Sequence, residues 1–110
     1  QLPSWFCDLF ADTNMITVTP LRGLPGYALI MRSRADSVIV RLNENMEPVS
    51  YVRVRADYFT VSAHDFNWKV AWSDSSNVWY VPVEGKHGRF QIVINDDDTM
   101  TIIGRFSLYP

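Results

Sequence analysis

The stretch Val49-Ser50-Tyr51-Val52-Arg53-Val54-Arg55-Ala56 decides the fold. Val52, Val54 and Ala56 recur at every second position, and Tyr51, Arg53 and Arg55 fill the places between them. An extended, pleated chain sends alternate side chains to opposite faces, so one set meets a core and the other meets water. A helix would scatter both sets around its circumference. The period of two continues in both directions from this run. Upstream, Met15–Thr19 alternates, with Ile16 and Val18 on one face and Met15, Thr17 and Thr19 on the other. Tyr27–Arg32 and Ser37–Leu42 are two further extended runs. Downstream come Tyr58–Ala63, Asn67–Ser73, Val78–Val83, Arg89–Asn95 and Thr99–Leu108.

Clusters rich in Gly, Pro, Asn, Asp and Ser separate these runs, among them Gly23-Leu24-Pro25-Gly26, Asn43–Pro48, Asp74–Asn77 and Asn95–Asp98. Such residues supply the backbone conformations of tight turns, and short loops between alternating strands favour antiparallel pairing. The pattern predicts an all-β fold: an antiparallel β-sandwich or small β-barrel of eight or nine strands. Residues 4–11 are the exception. Ser4 suits an N-cap, Trp5 with Leu9 and Phe6 with Phe10 are i,i+4 apolar pairs, and Asp12-Thr13-Asn14 stops the turn. One domain over 1–110 is expected, with a helix or arm in 1–14 and strands across 15–108.

The chain has 110 residues, 47% of them hydrophobic and 20% charged. A chain of this size buries about two-thirds of its surface, enough for a core without staples. Cys7 is the single cysteine, so no intramolecular disulfide forms and no zinc site can draw on two thiolates of one chain. Between Phe6 and Asp8 it reads as a buried structural thiol. The net charge of −2 gives no field that draws nucleic acid or anionic lipid, so neither is expected as a partner. No apolar run approaches the ~18 residues of a membrane-spanning helix. A start at Gln1 fits removal of a signal peptide, which implies a periplasmic or secreted home, and fits trimming of a cytoplasmic protein equally.

Catalytic signatures are missing. There is no nucleophile elbow, phosphate loop, zinc-protease helix or dinucleotide fingerprint. His64 and His87 fall in different loops and read as solvated. Asp96-Asp97-Asp98 lacks the glycine and closing glutamate of an EF-hand loop and reads as a hairpin turn. No enzyme, cofactor or metal is therefore expected.

Two features point to binding. Six arginines lie in residues 22–55 against three acids, whereas residues 57–98 hold three basic residues against seven acids. Tyr51, Arg53 and Arg55 share a strand face, with Arg32 and Arg41 on neighbouring strands, and Arg and Tyr are enriched at protein interfaces. This predicts a non-catalytic protein-binding domain, such as a small inhibitor or an immunity-type partner that neutralises a toxin. The alternative uses Trp68, Trp72 and Trp79. If Asn67–Ser73 and Val78–Val83 pair, three indoles line one face, fit for a glycan or a small apolar ligand. A third expectation is self-association through an open strand edge.

Overall fold

The structure is a computed structural model that describes residues 2–33, 36–55, 66–74, 77–85 and 88–105, and for Ile16, Val54, Arg55, Phe66 and Arg105 the backbone alone. The run Tyr58–Ala63 and both histidines lie outside the described residues. A helix α1 (Ser4–Asp12) precedes strands β1 (Asn14–Pro20), β2 (Tyr27–Arg32), β3 (Asp36–Leu42), β4 (Pro48–Arg55), β5 (Phe66–Trp68), β6 (Trp72–Ser73), β7 (Trp79–Gly85), β8 (Gly88–Ile94) and β9 (Met100–Arg105). The first four strands form one antiparallel sheet in chain order. The others form a second, ordered β5-β7-β8-β9, with β6 also paired to β7. Among the described residues no strand of one sheet pairs with a strand of the other, and the two sheets pack face to face as in a sandwich.

The molecule has three layers because β2 and β3 are apolar on both faces. Ala28, Leu29, Ile30 and Met31 are buried in succession, as are Val38, Ile39 and Val40. Continuous apolar runs of this kind need a cover on each side. On one side Ala28, Ile30 and Ile39 pack with Trp68, Val81, Val83, Phe90, Ile92 and Ile94 of the second sheet. On the other, Leu29, Met31, Val38, Val40 and Leu42 pack against Phe6 and Leu9 of α1.

A nine-residue helix is marginal alone and is held here by docking. Burying Phe6 and Leu9 contributes about 1.5–3 kcal/mol each. Ser4 is the first helical residue and not the N-cap. That place belongs to Pro3, which offers no side-chain cap, and whose carbonyl accepts from the N–H groups of Phe6 and Cys7 at 3.1 and 3.2 Å. At the other end the Thr13 hydroxyl donates to the Leu9 carbonyl at 2.6 Å. Cys7 is exposed, contrary to its reading as a core thiol, because Phe6 and Leu9 turn to the sheet and Cys7 lies off that stripe.

Two bulges decide which side chains face where. In β1 the register slips between Met15 and Thr17. Met15 and Val18 are thereby set opposite Met31 and Leu29, on one face, where simple alternation separates them. In the second sheet, Trp68 pairs with Val83 but Trp72 pairs with Tyr80, one residue out of step. A one-residue slip exchanges the two faces of a strand. The loop between β1 and β2 ties the sheets together. Leu24 enters the inter-sheet core, and the Ala71 N–H donates to the Arg22 carbonyl at 2.6 Å. A Cβ on Gly23 would stand 2.7 Å from the Ala71 carbonyl oxygen, so only glycine permits this approach.

Candidate functional site

The arginine–tyrosine set divides between the two faces of the first sheet. Tyr51 and Arg53 pair with Val40 and Val38 and so share the α1 side. Arg41 is the cross-strand neighbour of Ala28 and Ser50 and points to the inter-sheet side. There it reaches the β8–β9 turn, and its Nη1 donates to Asp98 at 2.8 Å. With its side chain only 18% exposed, Arg41 joins the sheets. Alternation puts Arg32, at the exposed end of β2, on that same side and away from Tyr51. Arg55 ends β4 opposite Asp36, and its side chain lies outside the described set.

What gathers beside Tyr51 comes from the helix. The Trp5 indole stacks on the Tyr51 ring with centroids 5.2 Å apart and an interplanar angle of 24°. Tyr51 keeps 39% of its surface exposed. Arg53, two residues along on the same face, is held by Asp36 at 3.3 Å. The rim of α1 and β4 therefore presents an indole, a phenol and a guanidinium, each braced by a neighbour. Strand alternation does not point to Trp5 as a binding residue. The signal for it is the pair of doubly apolar strands, which require α1 as a cover and so bring its aromatics over the sheet.

The row of three indoles does not form. Trp68 is buried in the inter-sheet core and Trp79 packs on the same core, while Trp72 is 49% exposed on the outer face of the second sheet. The bulge between Trp68 and Trp72 is the cause. Trp72 lies flat on Tyr80, with centroids 4.2 Å apart and an angle of 18°, and the Tyr80 hydroxyl donates to Asp74 at 3.2 Å. Partial burial, then the charge of Asp74 and its hydrogen bond, raise the Tyr80 pKa above the ordinary 10.0. A raised folded-state phenol stabilises the fold below pH 10 and loses that contribution as pH rises through its own pKa. In Asp74→Asn the Tyr80 titration, followed by phenolate absorbance, is expected to fall part of the way back. An unchanged titration would remove Asp74 as a cause.

The acidic run Asp96–Asp98 turns the chain between β8 and β9. Asn95 N–H donates to the Thr99 carbonyl at 2.8 Å, and Asp97 accepts from both the hydroxyl and the N–H of Thr99, at 2.6 and 3.0 Å. These bonds lower the Asp97 pKa below the ordinary 3.8, the hydroxyl first. Among the described residues no three His, Cys, Asp or Glu side chains are grouped to hold a metal, and no helix is long and apolar enough to cross a membrane. No family model, curated protein or solved structure matches the chain.

Proposed function

We propose that the protein is a non-catalytic protein-binding domain whose contact surface is the rim of α1 and β4, built from Trp5, Tyr51 and Arg53. The observation that carries this reading is the exposed Tyr51 ring stacked on the half-buried Trp5 indole, with Arg53 beside it. Tryptophan, tyrosine and arginine dominate interface energetics, and side chains fixed before contact lose less entropy on binding. A blocking partner of the inhibitor or immunity type fits a domain that offers such a surface on a rigid sheet.

Affinity capture from the source lysate and medium, with Arg53→Glu and Tyr51→Ala beside the wild type, tests it. One dominant captured protein is expected, with Arg53→Glu weakening it about tenfold or more while costing about 1 kcal/mol of stability through loss of the Asp36 pair. A captured partner whose affinity neither substitution changes would remove this surface. The glycan reading rests on Trp72 alone, since Trp68 is buried and the half-buried Trp79 packs against the inter-sheet core, so no exposed row of indoles remains. Its support is the half-exposed indole stacked on Tyr80.

A further inference from the structure

A pocket of about 200 Å³ opens at the end of the sandwich where the β1–β2 loop, the β3–β4 turn and the start of β7 meet. Its walls are Leu24, Pro25, Arg41, Asn43, Glu44 and Trp79. The volume lies below the roughly 300–1,000 Å³ of pockets for drug-sized ligands, so it suits one molecule of amino-acid size.

The lining fixes the chemistry of the occupant. Asn43 is committed to the turn: its amide donates to Glu47 at 3.1 Å, and its oxygen accepts from the N–H groups of Asn45 and Glu47, both at 2.9 Å. That bonding sets the backbone from which Glu44 projects. Glu44 is exposed and makes no ion pair among the described residues. Arg41 lines the pocket, gives Nη1 to Asp98 and has its Nε enclosed without a partner, so Nη2 is the guanidinium nitrogen not committed to either. The lining thus holds one donor cation, Arg41, which also bridges to Asp98, and one acceptor anion, Glu44, beside an indole and two aliphatic walls.

A simple anion in this space would meet Glu44, and a simple cation would meet Arg41. A neutral ring would strip water from both charges and return nothing. A zwitterion with an apolar substituent satisfies all the walls together. We propose that this pocket binds a free α-amino acid with an apolar side chain. The carboxylate accepts from Nη2 of Arg41, the ammonium donates to Glu44, and the side chain lies against Trp79, Leu24 and Pro25. The site opens among the turns, apart from the α1–β4 rim, and does not depend on the protein-binding reading.

The test titrates the protein with L-leucine, L-leucinamide and N-acetyl-L-leucine, followed by tryptophan emission and by calorimetry. L-leucine is expected to bind saturably at millimolar concentration or below. Each derivative, lacking one of the two charges, is expected to bind about tenfold or more weakly. Glu44→Gln, at an exposed turn position that leaves folding intact, is expected to weaken L-leucine to the same degree. It should not weaken N-acetyl-L-leucine, which has no ammonium for Glu44 to hold, and is expected to tighten it by removing the carboxylate that repels that anion. Trp79→Phe is expected to abolish the emission response, and Trp72→Phe to keep it. Absence of saturable heat or emission change with L-leucine, or equal affinity for all three probes, overturns the proposal.

Discussion

Gly26→Ala is expected to lower stability by about 3 kcal/mol or more, read as a shift in the urea midpoint with an unchanged slope. Two causes act together. Gly26 has φ of 110°, a conformation that residues with a Cβ rarely adopt, so the substitution is strained whatever space surrounds it. An added Cβ would also collide with the carbonyl oxygen of Leu42, a backbone atom that cannot turn aside as a side chain can. The carbonyl of Gly26 accepts from the Leu21 N–H at 3.0 Å and closes the loop, so displacement would also disturb Leu24 in the core. Gly104→Ala is the control. It sits at an exposed position of β9 without a positive φ, and is expected to be neutral or slightly stabilising. If the two alanine variants unfold at the same midpoint, the close approach of Gly26 to Leu42 does not constrain the fold.

Leu9→Ala is expected to cost about 2–5 kcal/mol. Leu9 is 3% exposed and shares with Phe6 the attachment of α1 to the sheet. Truncation removes apolar contact and leaves a cavity that a helix without an N-terminal side-chain cap has little means to fill. The consequence extends beyond the cavity. A loosened α1 uncovers Leu29, Met31, Val38 and Val40, a contiguous apolar face of the kind that drives association. Light scattering at two concentrations is therefore expected to show oligomers in Leu9→Ala and not in Phe10→Ala, whose ring is 44% exposed. A Leu9→Ala protein that melts with the wild type would mean that the first sheet does not need its helical cover.

Most strands were legible because their evidence is local. The alternation in Val49–Ala56 and Arg89–Asn95, and the turn residues around Asn43–Pro48 and Asn95–Asp98, locate β4, β8 and both hairpins to within a residue or two. Side-chain direction was legible only where a strand keeps its register. An extra residue in Lys69-Val70-Ala71 changes neither composition nor apolar content, yet it sends Trp72 outward where alternation from Trp68 sends it inward. The same holds for Met15 and Val18 across the slip in β1.

The candidate surface was half legible. Tyr51 and Arg53 share a face by alternation alone, as expected. That Arg41 crosses to Asp98, 57 residues further along the chain, depends on how the sheets stack and not on any nearby residue. Trp5 was hidden for a different reason. A lone apolar helix face does not declare its partner, and only the double-sided burial of β2 and β3 shows which sheet requires it.

That double-sided burial has a consequence in time. Ile30, Met31, Val38 and Val40 have essentially no accessible surface, and their strands are paired on both edges. A strand with one wet face can lose its amide protons to passing water through small local openings. Here water has no side from which to enter until α1 or the second sheet has lifted away as a unit. Amide exchange in the middle of β2 and β3 therefore records how often an entire layer departs, whereas exchange at the β1 edge records only the fraying of one strand.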